Sequence, residues 1–103
     1  MIVTSMITVF SKENCIYCKK TNTFFTGLNI DFKEIKLDPS NNKDKEMIEQ
    51  LKSKYNHYTF PFIIINHKLS DEVFIGGFSE LDNSYNTMYL HKLINLIDDN
   101  VDF

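Results

Sequence analysis

The fold is constrained most by the order in which strand-like and helix-like apolar patterns follow each other along the chain. Apolar or alternating segments of strand length occur at residues 6–10, 30–37, 60–65 and 72–75. Apolar residues at helical spacing occur twice between these segments and once near the carboxyl end. Because side chains repeat every two residues in a strand and about every 3.6 in a helix, the order predicts the elements βαβαββα.

Each of the three predicted helices is marked by one apolar stripe. The stripes comprise, in chain order, Tyr17, Thr21, Phe24, Phe25 and Leu28, then Met47, Ile48, Leu51 and Tyr55, and finally Leu90, Leu93, Ile94 and Ile97. The polar segment 66–71 predicts a hairpin connection between the last two strands. Strands that alternate with helices and end in a hairpin predict an α/β protein in which helices pack on a mixed sheet.

Length and charge narrow the possible functions. The 103 residues suffice for one domain with its own core, and the net charge of −3 disfavours a nucleic-acid partner. The apolar residues 1–10 lack the features of a signal peptide, and no apolar run has the roughly 18 residues of a membrane span. Two cysteines are too few for a secreted disulfide scaffold, so we expect a reducing, cytoplasmic location.

Both cysteines lie in the segment SKENCIYCKK, at Cys15 and Cys18. The predicted order places them at the start of the first helix, where unpaired amides and the helix dipole favour negative charge. Lys12 and Lys19 add positive charge nearby. These effects predict that the pKa of the Cys15 thiol is below its free value of about 8.5. Cys18, one turn further inward, is then the resolving thiol.

Two other roles for the cysteine pair are disfavoured. A zinc site needs four ligands, but the chain has no second cysteine pair, and its histidines, His57, His67 and His91, are not closely spaced. A purely structural bridge between Cys15 and Cys18 closes a very small loop and therefore gains little stability. The spacing thus favours a redox-active thiol pair, and no metal site is expected.

Three motifs occur along the chain: CIYC at 15–18, TFP at 59–61 and GGFSEL at 76–81. Together they resemble the glutaredoxins over nearly the whole chain. Thioredoxins fit less well, because their usual WCGPC motif is absent and the chain has no Trp. The resemblance implies a thioredoxin-like fold, a central mixed four-stranded sheet flanked by helices, in a single domain over residues 1–103. It also implies a glutathione-dependent thiol–disulfide oxidoreductase that reduces protein disulfides and protein–glutathione mixed disulfides.

The resemblance further implies a glutathione site beside the catalytic pair, Cys15 and Cys18. A cis Pro61 is expected to turn the backbone of Phe60 toward the bound peptide, as in a one-residue strand addition. The predicted glutathione-binding residues are Lys12, Tyr17, Thr59, Phe60, Pro61, Gly77, Phe78, Ser79 and Glu80.

Four of these residues are expected to meet the charged ends of glutathione. Lys12 is the cation for the glycyl carboxylate, the amides of Phe78 and Ser79 at a helix start suit the γ-glutamyl carboxylate, and Glu80 suits the amine. Ordinary structural roles stay open beside these. Tyr17 also fits the apolar stripe of the first helix, and Ser79 fits a helix N-cap.

Family membership would also imply the partners. No cofactor is expected to be bound permanently. Glutathione supplies the electrons and is renewed by a separate glutathione reductase. The enzyme is expected to be a monomer that acts on disulfide-containing or glutathionylated proteins. An alternative is a dimer that shares a [2Fe–2S] cluster through Cys15 and two glutathione molecules. Ile16 replaces the family's common Pro, which keeps this alternative open. The chain departs from the family pattern at two other places: Phe60 replaces a common Val, and the hairpin between Pro61 and Gly76 is long.

Overall fold

The computed structural model of the protein describes residues 7–66, 72–87 and 90. Its elements are β1 (Ile7–Ser11), α1 (Ile16–Gly27), β2 (Lys33–Lys36), α2 (Asn42–Tyr55), β3 (Phe62–Asn66), β4 (Glu72–Gly76) and α3 (Phe78–Asn86). The predicted order βαβαββα is therefore confirmed. Within the described ranges no helix is long and apolar enough to cross a membrane.

The four strands form one mixed sheet in the order β2-β1-β3-β4. Strand β1 is parallel to β2, to which α1 connects it, and antiparallel to β3. Strand β3 is antiparallel to β4, with a register shift between Ile63 and Ile64. The mixed sheet predicted from the alternation and the final hairpin is confirmed, and the two most apolar strands are at its centre.

The sheet separates two clusters of buried apolar residues. One cluster joins alternate residues of the central strands to α1 and α3: Ile7, Val9, Phe25, Ile30, Ile63, Ile65, Leu81 and Leu90. The other joins the opposite face of β3 to α2: Leu37, Ile48, Leu51, Phe62 and Ile64. Because successive side chains of a strand point to opposite faces, the continuous apolar run of β3 supplies both clusters. Helices α1 and α3 therefore cover one face of the sheet, and α2 covers the other.

Several predicted boundaries differ from the structure. Strand β2 is shorter than the predicted 30–37, because Ile30 still bonds to the carbonyl of Phe25 at the end of α1, at 2.9 Å. Met47, predicted on the buried face of α2, is 42 % exposed. The last helix begins earlier than its predicted stripe, at Phe78. Of that stripe Leu90 is buried, whereas residues 93, 94 and 97, like hairpin residues 67–71, lie outside the described residues.

Asparagine residues define both ends of α2 and direct the chain toward the TFP motif. The Asn41 side chain accepts hydrogen bonds from the amides of Lys43 and Asp44, which satisfies two donors at the start of the helix. Asn56 follows the helix in a left-handed conformation, with φ of 51°. A left-handed residue at this position ends a helix and reverses the chain direction. The segment that follows, 57–61, reaches the edge of the sheet where the cysteines lie.

Candidate active site

The cysteine pair lies where β1 leads into α1. Asn14 has a positive φ of 58°, and Cys15 follows as the N-cap residue of α1. The Cys15 sulfur accepts a hydrogen bond from the Cys18 amide at 3.2 Å, and the two sulfurs are joined as a disulfide. Both residues are buried, with exposed fractions of 8 % for Cys15 and 2 % for Cys18. Cys15 is thus the more exposed residue of the pair, and Cys18 the more shielded one, as the sequence predicted.

The surroundings of Cys15 favour negative charge on its sulfur. The first turn of α1 has no acidic residue, and its free amides point toward the N-cap. The predicted cation, Lys12, places its Nζ 5.4 Å from the centroid of the Phe60 ring. This contact links the cysteine loop to the TFP motif through a cation–π interaction.

The TFP motif forms the second wall of the site. The Phe60–Pro61 peptide bond is cis, as predicted, and Pro61 is fully buried. The Phe60 ring packs edge-on against Phe62, with centroids 5.2 Å apart. Thr59 is exposed, and its hydroxyl lies 3.4 Å from Nε2 of His57. The motif therefore joins an exposed backbone segment to a buried anchor at the start of β3.

The GGFSEL motif forms the third wall and begins α3. Gly77 is the N-cap residue, and Phe78 and Ser79 are the first two helical residues, so the predicted helix start is confirmed. The alternative role of Ser79 as the N-cap is wrong. Glu80 accepts a hydrogen bond from the Gly77 amide through Oε1 at 2.7 Å, which satisfies a donor at the helix start. This carboxylate has a structural partner within its own helix.

The three walls enclose a cleft of about 280 Å³. Seven of the nine residues predicted to bind glutathione line it: Tyr17, Thr59, Phe60, Gly77, Phe78, Ser79 and Glu80. Tyr17 is 55 % exposed, so it is not a core residue of the helical stripe. Its ring lies 6.3 Å from that of Phe78 at an angle of 29°. Lys12 and Pro61 do not line the cleft but flank it at Phe60. Glutathione binding by these residues stays a prediction.

Comparisons with known proteins agree with the motifs and the fold. A sequence model of the glutaredoxin family matches residues 7–70. The chain belongs to the glutaredoxin family. The search of curated protein sequences gave no significant match.

Solved glutaredoxin structures have the same fold. The chain is 30 % identical to a wheat glutaredoxin, with a TM-score of 0.73 over 85 % of this chain and 79 % of that one. A dithiolic glutaredoxin from Trypanosoma brucei brucei is 26 % identical, with a TM-score of 0.73 over 86 % of each chain. A buckwheat glutaredoxin in complex with glutathione is 22 % identical, with a TM-score of 0.72 over 91 % of this chain and 77 % of that one. The thioredoxin-like fold is thus confirmed, and the family and the cysteine pair identify a thiol–disulfide oxidoreductase.

A hydrogen-bonded cluster beneath the glutaredoxin cysteine loop connects three elements. The Glu34 carboxylate of β2 accepts bonds from the Asn22 side chain of α1 and the Ser11 hydroxyl of β1, each at 2.8 Å. These bonds, the one from Asn22 first, hold the pKa of the Glu34 carboxyl below its ordinary value. Because Ser11 is buried at the end of β1, the cluster fixes the strand from which the cysteine loop departs.

Two residues near the glutaredoxin cleft were not among the predicted site residues. The His57 ring lies against Phe62 and Phe74, with centroids 5.0 and 5.3 Å away, and approaches Gly77. Nothing in its local sequence indicated this contact, which depends on α2 and β4 meeting. Lys20 places its Nζ 5.3 Å from the Tyr17 ring centroid. In the ranges that the structure covers, no three His, Cys, Asp or Glu side chains are grouped so as to hold a metal ion.

Proposed function

We propose that the protein is a glutathione-dependent oxidoreductase that reduces protein–glutathione mixed disulfides and protein disulfides. The observation that carries this proposal is the cleft beside the cysteines, because seven residues expected from separate motifs line it together. The glutathione complex of the buckwheat glutaredoxin supports the same ligand. The cleft offers aromatic surface, free helix amides and backbone, which suit a tripeptide with two carboxylates.

The first step is the attack of the Cys15 thiolate on the glutathione sulfur of a mixed disulfide. The sulfur–sulfur bond of the substrate breaks, the protein sulfur leaves as a thiolate that takes up a proton, and a Cys15–glutathione disulfide forms. The Cys18 amide, which donates to the Cys15 sulfur at 3.2 Å, is placed to stabilise the attacking thiolate. A second glutathione thiolate then releases oxidised glutathione and restores Cys15.

A protein disulfide follows a related route. Cys15 attacks one of its sulfurs, and Cys18 then attacks the mixed disulfide, which releases the reduced protein and leaves the Cys15–Cys18 bond. Glutathione reduces that bond in turn, and a separate glutathione reductase renews glutathione. We expect a monomeric enzyme in the cytoplasm with no permanently bound cofactor. The sequence-based alternative, a cluster-bridged dimer, gains no support from the geometry or from the comparisons.

Two cysteine variants test the proposal. Cys18→Ser should retain most of its activity on a glutathionylated peptide, because that route needs one protein thiol and free glutathione. Cys15→Ser should lose activity on both the peptide and a protein disulfide. Both variants are assayed with glutathione, glutathione reductase and its nicotinamide cofactor, with the unmutated protein as reference. Absence of turnover by the reduced unmutated protein would refute the proposed function.

A further inference from the structure

A second groove adjoins the glutathione cleft at Phe78. It encloses about 410 Å³ and is lined by Ile16, Lys19, Lys20, Thr23, Phe24 and Phe78. Only Phe78 lines both the groove and the cleft. Ile16 stands immediately after Cys15 in the chain and is 67 % exposed. The core therefore does not account for this aliphatic side chain.

We infer that this groove binds the protein part of the substrate, a segment that carries an aliphatic side chain and a carboxylate close to its glutathionylated cysteine. The inference rests on the proposed function. A protein–glutathione disulfide has two parts that meet at one sulfur–sulfur bond. When glutathione occupies the cleft and Cys15 attacks its sulfur in line, the departing protein sulfur lies beyond the glutathione sulfur, so the protein part of the substrate must lie outside the cleft. The groove at Ile16 provides a surface there.

The charges around the groove determine the kind of segment. Lys19 and Lys20 are its charged lining residues, and among the described residues no carboxylate lines it. The positive lining is a local feature, because the chain as a whole has a net charge of −3. Lys20 lies over the Tyr17 and Phe78 rings, at 5.3 and 6.0 Å from their centroids, so its ammonium is held beside the groove. An acidic segment is therefore attracted and a basic segment repelled.

The apolar lining determines the second requirement. Ile16 and the half-buried rings of Phe24 and Phe78 contribute carbon surface, which an aliphatic side chain of the substrate would cover. The chemistry of the transfer is unchanged: Cys15 gains the glutathione sulfur, the substrate sulfur leaves with its bonding electrons and takes up a proton. The groove thus selects the substrate without entering the covalent step.

Four glutathionylated peptides of equal length test the inference. They differ only in having Leu or Ser before the modified cysteine and Asp or Lys after it, and kcat/KM is measured for each. We expect the Asp peptides to exceed the Lys peptides by about 5-fold, since one exposed ion pair contributes up to roughly that factor and the Lys peptides are also repelled. The Leu peptides should exceed the Ser peptides by several-fold.

Charge and apolar variants then separate the two requirements. Lys19→Glu should remove or reverse the ratio between Asp and Lys peptides and keep the ratio between Leu and Ser peptides. Ile16→Ser should reduce the ratio between Leu and Ser peptides and keep the ratio between Asp and Lys peptides. Ratios between peptides cancel any change in the reactivity of Cys15, which both variants adjoin. Lys45→Glu, an equal change of charge at an exposed position of α2, is the matched control and should keep both ratios.

The outcomes separate failure of the inference from failure of the proposed function. Glutathionylated free cysteine has no segment to occupy the groove, so its turnover tests the function alone. The groove does not bind substrate if glutathionylated free cysteine is reduced while all four peptides have equal kcat/KM. The same conclusion follows if Lys19→Glu and Lys45→Glu have the same effect on the ratio between Asp and Lys peptides. Sedimentation of the unmutated protein and Lys19→Glu gives another refuting outcome: a dimer that this substitution dissociates would make a second copy the occupant.

Discussion

Replacement of Gly76 by Ala should destabilise the protein strongly, because this glycine has a conformation and a neighbour that exclude a side chain. Its φ is +120°, a region that residues with a Cβ rarely adopt. An added Cβ would lie 2.7 Å from Oε1, 2.8 Å from Cγ and 2.9 Å from Cβ of Glu80. Contact with Cβ as well as Oε1 means that the whole Glu80 side chain must move, and not only its flexible end.

The cost can be estimated from two separate effects. The strained backbone conformation costs about 1–3 kcal/mol. Displacement of Glu80 breaks its hydrogen bond with the Gly77 amide, which contributes about 1 kcal/mol at a helix start. We therefore expect Gly76→Ala to lower the free energy of unfolding by about 2–4 kcal/mol. Each kcal/mol corresponds to a fall in Tm of about 4–8 °C for a domain of this size.

Urea unfolding followed by circular dichroism measures the change, with two reference variants. Gly27→Ala is the matched control: apart from its chain neighbours and the backbone of its own helix, nothing lies within 4 Å of an added Cβ at this exposed end of α1. It should stabilise the protein by up to about 0.5–1 kcal/mol, the difference between glycine and alanine in a helix. Glu80→Ala should cost only the hydrogen bond, about 1 kcal/mol.

The double variant Gly76→Ala/Glu80→Ala identifies the cause. Glu80→Ala removes the overlap with Oε1 and Cγ and keeps the Cβ contact and the backbone strain, and the hydrogen bond is lost only once, so the combined cost should be smaller than the sum of the two single costs. A Gly76→Ala protein within about 0.5 kcal/mol of the unmutated protein, the usual range for neutral surface changes, would refute the reasoning. Strict additivity would refute the contact with Glu80.

Three further predictions concern the cysteine loop and its support. The pKa of the Glu34 carboxyl is lowered chiefly by the hydrogen bond from Asn22, so this group should stabilise the fold at pH values above its ordinary pKa of 4.5 and lose this contribution as pH falls through the folded pKa. Glu34→Gln should therefore weaken the pH dependence of the urea midpoint between about pH 3 and 6. Lys12→Gln should weaken glutathione binding several-fold and reduce its salt dependence in calorimetric titrations. In the reduced protein Cys15 should be alkylated faster than Cys18 at neutral pH, and equal rates would contradict the assigned roles.

The active-site motifs were predictable because their chemistry is local. The start of a helix provides amides and a dipole, so the position of Cys15 after a strand sufficed to predict its place at a helix start, and the structure shows that it is the N-cap residue. The helix start at Phe78 followed in the same way from the two preceding glycines. The cis bond before Pro61 came from the resemblance of the TFP motif to the family.

Contacts that depend on the approach of distant elements were not predictable. The His57 ring lies against Phe62 and Phe74 because the segment after α2 packs on β3 and β4. Met47 fits the helical spacing of α2, yet it is exposed, since the sheet covers only the part of that helix around Ile48 and Leu51. An apolar stripe gives the direction of the buried face but not its width.

The sequence by itself determined the order of the elements, the mixed sheet and the thiol pair at a helix start, because periodicity and helix capping act over a few residues. Only the tertiary structure decided that segments 15–20, 59–60 and 77–80 meet in one place. That meeting produces a cleft and an adjoining groove lined by lysines, which share Phe78. The physical reason is that β3 lies between β1 and β4, so hydrogen bonds between strands, rather than neighbouring residues in the chain, bring the three motifs to the same edge of the sheet.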